Sequence, residues 1–211
     1  EGHCKSILFR RVVVFMPRVS SKSKYTVQVF ELFKDKGLLL NMEQIAQSLG
    51  LTKKTLYNNF SSKHELIATV LDYFYSELDK KIQASNQKSV NAIEAFFDVS
   101  VVISNEISKL GALLLKDLSL YPSCPDIFNF TDRQNYYSKL LRENLCRGIS
   151  EGLYRNNLDM DYSALFYASA IELFYKWDGG FRFLENTSED HRALVVHHLY
   201  SVVNDKGRAL L

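Results

Sequence analysis

From Asn41 to Glu65 the chain spells out two short helices joined by a sharp turn, followed by the first turn of a third. Few folds accommodate that order. Asn41 has the side-chain oxygen of a helix N-cap, and Gln44 three residues later completes a capping box. Met42, Ile45, Ala46 and Leu49 recur at i, i+3, i+4 and i+7, a spacing that buries one helix face. Gly50 supplies the left-handed backbone that ends a helix. Leu51 fills the angle after it, and Thr52 is placed to cap the next helix. Leu56 and Phe60, four apart, form the buried side of that second helix. Ser62 and Glu65 read as a second capping box, opening a longer helix.

The opposite side of the second short helix presents Lys53, Lys54, Thr55, Tyr57, Asn58 and Asn59. Two short helices in this relation are a helix-turn-helix, whose second helix enters the major groove of DNA. Lysines neutralise phosphates, and Thr or Tyr hydroxyls bond phosphate oxygens. An Asn side chain pairs bidentately with adenine. The plain alternative is a solvated polar face, but the caps, the glycine and the apolar spacing together favour DNA. The expected contact set is Gln44, Thr52, Lys53, Lys54, Thr55, Tyr57, Asn58, Asn59 and Lys63.

Charge follows the same division. Residues 1–64 hold eleven Lys and Arg against four Asp and Glu, and the remainder holds fifteen against twenty. The small net charge of +2 therefore hides a basic head on an acidic body, a distribution suited to binding nucleic acid at one end.

Several stretches here resemble a known family. Glu31-Leu32-Phe33, Gly37, Ile45-Ala46, Leu49-Gly50-Leu51-Thr52-Lys53, Thr55-Leu56-Tyr57, Phe60 and Ser62-Lys63 are similar to the N-terminal signature of the tetracycline-repressor (TetR) family, over residues 22–75. Gly148-Ile149-Ser150-Glu151-Gly152-Leu153-Tyr154-Arg155 is similar to the end of a long ligand-domain helix in many members. Lys54 stands where the family usually has a small residue, and Asn58-Asn59 where aromatics or His are frequent. The operator sequence therefore does not carry over.

The rest of the chain reads as helical. Pro is scarce, no alternating strand pattern is sustained, and 46% hydrophobic residues suffice for a core. A bracing helix is expected near residues 22–36, with Gly37 as its stop. A linking helix starts near Lys63. Others are expected around residues 91–107, 110–120, 131–152, 159–177 and 188–204. The expected fold is all-α, with a DNA-binding head over residues 16–64 and a larger helical body over 65–211. Residues 1–15 are apolar and basic, too short and too charged to span a membrane. They read as disordered or as an artefact of the start site ahead of Met16, the alternative being a basic arm that touches DNA.

Aromatic residues cluster between positions 96 and 177 and serve mainly as core. As a group they can also line a pocket between helices, and the resemblance implies such a pocket between the linking helix and the middle of the body. The candidates are Phe97, Val101, Phe128, Tyr137, Leu141 and Tyr167. One helix-turn-helix reads few base pairs, so a symmetric dimer with heads roughly 34 Å apart is expected. The resemblance implies pairing through the last two long helices, with Leu165, Ala168, Ile171, Leu173, Leu194, Val195, His198, Leu199 and Val202 on the faces concerned. The plain alternative is that this surface packs only within one chain.

Other chemistries find little support. Cys4, Cys124 and Cys146 have neither disulfide nor zinc spacing, which fits a reducing cytoplasm. His191, His197 and His198 lack Cys or carboxylate partners at ligand spacing, so no metal is expected. No GxSxG, P-loop, dinucleotide fingerprint or HExxH occurs, and neither an enzyme nor a cofactor is expected. The reading reached is a ligand-responsive transcriptional regulator, in the first instance a repressor. It would bind double-stranded operator DNA as a homodimer and answer to an unidentified small molecule. The alternative is a DNA-binding regulator governed by a protein partner or by no ligand.

Overall fold

A computed structural model describes residues 20–119, 130–175 and 187–211, and every regular element among them is a helix. In order these are α1 (Ser21–Lys36), α2 (Met42–Ser48), α3 (Lys53–Asn59), α4 (Lys63–Lys88), α5 (Ala92–Ser108), α6 (Gly111–Ser119), α7 (Phe130–Ser150), α8 (Met160–Tyr175), α9 (Thr187–Val202) and α10 (Asp205–Arg208).

The head is built by local rules that the sequence states openly. Ser20 caps α1 by accepting from the Ser23 amide, and Gly37 ends it at φ +71°. Asn41 and Gln44 form the expected reciprocal box at α2. Gly50 adopts φ +65°, and Thr52 caps α3 by accepting from the Thr55 amide. One expectation is corrected at α4. Ser62 accepts from the Glu65 amide, but the Glu65 carboxylate returns to the backbone and hydroxyl of Ser61 rather than to Ser62. A carboxylate one residue further from its target reaches two donors there instead of one.

Two apolar cores organise the chain. The first gathers Val29, Phe33, Leu38, Ile45, Leu56 and Phe60 with α4 from Leu66 to Ile82, and also takes Leu110 and Leu114 from the α6 end of the body. Leu56 and Phe60 are 0% and 1% exposed, each contributing about 1.5–3 kcal/mol by burial. The second core joins α5, the end of α7, α8 and α9 through Ile93, Phe96, Leu145, Tyr154, Tyr167, Val195 and Leu199. Helix α4, 26 residues and about 39 Å long at 1.5 Å per residue, runs from the head along α5.

The end of α7 explains the second sequence motif. Gly148 is buried, and a Cβ on it would lie 2.1 Å from the Tyr154 ring. The ring therefore needs glycine beneath it. The Tyr154 hydroxyl donates to the Asn144 side chain at 3.0 Å, and the Asn144 amide donates to the Ala92 carbonyl at 2.8 Å. Burial pushes the Tyr154 phenol well above its usual range, helped by the nearby Glu151. Thus the turn after α7 is tied to the start of α5.

Candidate nucleic-acid interface

Helix α3 turns Leu56 into the first core and leaves its other side in solvent. Lys53, Lys54, Tyr57 and Asn58 are exposed there, Tyr57 at 43%. Lys53 reaches Glu43 of α2 at 3.5 Å, a solvent-exposed pair that binds weakly and yields readily to a phosphate. These four side chains form one polar, basic surface on a helix fixed at both ends.

The remaining members of the expected set divide by role. The Gln44 carbonyl oxygen accepts from the Asn41 amide at 2.8 Å. The Thr52 and Thr55 hydroxyls bond each other at 2.8 Å while Thr52 also caps α3. Asn59 donates to the Thr55 carbonyl at 2.8 Å and accepts from the Ser21 hydroxyl at 3.1 Å. Asn59 therefore ties α3 to the start of α1, although it sits beside Asn58 in sequence. Lys63 is half-buried at the start of α4. Burial lowers its pKa, partly offset by the Asp117 charge.

Lys22 was not singled out by sequence. Its ammonium group donates to Glu65 at 2.7 Å and lies 5.4 Å from the centre of the Phe60 ring. The hydrogen bonds from Lys22 and then Ser61 hold the Glu65 carboxyl down to about 2. This knot joins α1, the end of α3 and α4 behind the exposed face. No local spacing announces it, because Lys22 and Glu65 are 43 residues apart.

In the body, the ligand candidates fall in three places. Phe97, Leu141 and Tyr167 belong to the second core or pack against it, Tyr137 packs against the first, and Val101 is 55% exposed. Phe128 lies outside the described residues. An open depression on α7 is lined by Ser138, Lys139, Arg142, Glu143 and Cys146, and another near the C-terminus by residues including Arg155, Tyr200 and Arg208. None of the candidates lines either.

The pairing candidates also divide. Val195, His198, Leu199 and Val202 are buried within the single chain, so their surface is spent on its own second core. Ala168, Ile171 and Leu194 are half-buried, and Leu165 is 60% exposed. The side chain of Leu173 lies outside the described residues. Sequence reasoning missed Tyr162 and Phe166, which are 67% and 59% exposed and stack on each other. With Leu165 they form an apolar stripe along the outer side of α8. Among the described residues no group of His, Cys, Asp and Glu is arranged to hold a metal, and no helix is long and apolar enough to cross a membrane.

Comparison with known proteins bears on this geometry. The family described as bacterial regulatory proteins, tetR family, matches residues 30–70, from within α1 into α4. YvaF of Bacillus subtilis (strain 168), an HTH-type transcriptional regulator, is 31% identical over 96 residues, covering 44% of this chain and 50% of that one. The chain thus matches half the length of that relative. The HTH-type transcriptional repressor KstR2 of Mycolicibacterium smegmatis is 24% identical over 185 residues, 83% of this chain and 88% of that one. A solved transcriptional regulator of Saccharomonospora viridis, in complex with choline, shares the fold at TM-score 0.69 with 15% identity, covering 87% of this chain and 97% of that one.

Proposed function

We propose that the chain, whose residues 30–70 match the tetR family of bacterial regulatory proteins and which is similar along most of its length to an HTH-type transcriptional repressor, is a ligand-responsive repressor of that family and not an enzyme. It binds a palindromic operator as a homodimer and leaves it when a small molecule occupies the body. The observation that carries this reading is α3 itself. Its buried side is locked by Leu56 and Phe60 and its start is capped by Thr52, so Lys53, Lys54, Tyr57 and Asn58 are held as one preorganised surface. Lys53 and Lys54 neutralise phosphates, Tyr57 bonds a phosphate oxygen, and Asn58 reads a base edge. Lys63, at the start of α4, adds a phosphate contact. Gln44, Thr52, Thr55 and Asn59 hold the surface in shape.

Pairing uses the exposed stripe of Tyr162, Leu165 and Phe166 on α8, with the adjoining side of α9. An apolar stripe of this kind on a helix otherwise packed into its own core is suited to a symmetric contact. The effector site lies among Phe97, Leu141 and Tyr167, between α5, α7 and α8. The choline complex of a protein with this fold supports a small organic effector. The ligand acts through its unequal affinity for two arrangements of the heads.

Selection of binding sites from random duplex DNA tests this. A consensus of two inverted half-sites is the expected result. Binding without any consensus would overturn the operator reading.

A further inference from the structure

Asp117 lies near the end of α6, in the body by chain order, yet it is 7% exposed and faces the head. Its Oδ2 accepts from the Leu38 backbone amide at 2.6 Å. Leu38, 1% exposed, belongs to the link that sets α2 against α1. Gly37 beside it carries φ +71°, and a Cβ there would lie 2.2 Å from the same Oδ2 and 3.1 Å from Leu113 of α6. The glycine therefore ends α1 and also leaves room for the carboxylate. Asp117 acts electrostatically on Lys63 as well, favouring its charged form. One side chain thus addresses the end of α1, the α1–α2 link and the start of α4, the segments from which the reading helix hangs.

We propose that Asp117 is the positioning residue through which the body fixes the orientation of the DNA-reading head. This rests on the operator-binding reading above. Head and body are joined covalently only through α4, and the α6 end packs Leu110 and Leu114 into the core beneath the head, an apolar contact with little directionality. The Asp117–Leu38 bond adds a directional attachment at the end of α1 to that packing. A hydrogen bond to a carboxylate is short and directional, and leaving a buried amide unpaired is costly. A shift of α6 therefore drags the α1–α2 link with it or breaks the bond.

The test uses the full chain. The Leu38 amide is expected to resist hydrogen exchange in the wild type, and rapid exchange there would overturn the proposal. Affinity is then measured for selected half-sites at their natural spacing and with one or two base pairs inserted between them. Asp117→Ala is expected to reduce the preference for natural spacing by about tenfold, within the range usual for coupling between sites. Asp117→Asn, which keeps an acceptor oxygen, is expected to recover most of it. A folded Asp117→Ala protein with the wild-type spacing preference overturns the proposal. Should that variant not fold, Asp117→Ser takes its place under the same criterion. If selection yields no consensus, the operator reading falls, and Asp117 is judged by exchange alone. Faster exchange confined to residues 37–60 supports the positioning role, whereas loosening spread through α5 and α9 makes Asp117 an ordinary core residue.

Discussion

The His198 imidazole stacks on the Phe96 ring, with centroids 4.9 Å apart and planes 23° from parallel. Tyr167 closes its other approach at 4.4 Å. Burial, with a smaller contribution from the neighbouring His197, pushes its pKa down from 6.5 to about 4. Above pH 6.5 the ring is neutral whether the chain is folded or not, and stability is full. As pH falls toward 4, the unfolded chain takes up a proton that the folded one refuses. The loss is on the order of 3 kcal/mol across that window. Denaturant melts between pH 7 and pH 4 should show this slope, and His198→Phe should reduce it, leaving the part due to His191, whose pKa burial also lowers. An unchanged slope would assign the acid sensitivity elsewhere.

Asn58 and Asn59 should separate cleanly. Asn58→Ala is expected to relax selectivity at one or two base positions with little effect on folding. Asn59→Ala breaks the tie between α3 and α1, costing about 1 kcal/mol of stability and weakening all sequences alike. Site selection and thermal melts on both variants check this. Equal effects would mean that one of the two roles is misassigned.

Lys54→Ala and Lys63→Ala probe phosphate contacts. Each should weaken binding to all duplexes similarly and reduce the slope of log affinity against log salt by about 0.9. An operator-selective loss for either would instead make it a base reader.

Gly148→Ala drives a methyl group into the Tyr154 ring. Overpacking of this kind costs about 1–3 kcal/mol. The readout is the midpoint of thermal unfolding, and a neutral result would show that the α7 turn repacks freely.

Leu165→Glu with Phe166→Glu places charge on the α8 stripe. Sedimentation should show a shift from dimer to monomer with helical content kept. A dimer that survives both substitutions must pair elsewhere.

The head was legible because its rules are local. Asn41, Gly50, Thr52 and Ser62 each specify a cap or a turn within four residues, and the structure keeps them. Role within the head was less legible. An amide or hydroxyl that can bond a base can equally bond a backbone, and only the fold shows that Asn59 faces Ser21 while Asn58 faces water. The body gave up its helices, since Asn91 and the α7 turn punctuate them, but not their faces. Leu165-Phe166-Tyr167-Ala168 is apolar in every direction, and such a helix offers no periodicity from which to choose an inside. Asp117 did carry a signal, as an acid inside the apolar run from Leu110 to Leu120. Its partner is 79 residues away, beyond the reach of any spacing rule.

The first core has a practical consequence for anyone wishing to graft this head onto another helical body. A cut at residue 64 would strip away Leu66, Ile67, Val70, Leu71, Phe74, Leu78 and Ile82, together with the cover from Leu110 and Leu114. The excised piece would keep its recognition surface and lose the floor beneath it. A workable chimera would carry α4 through Ile82 and borrow from its new host an α6 with leucines and an acid in the same places.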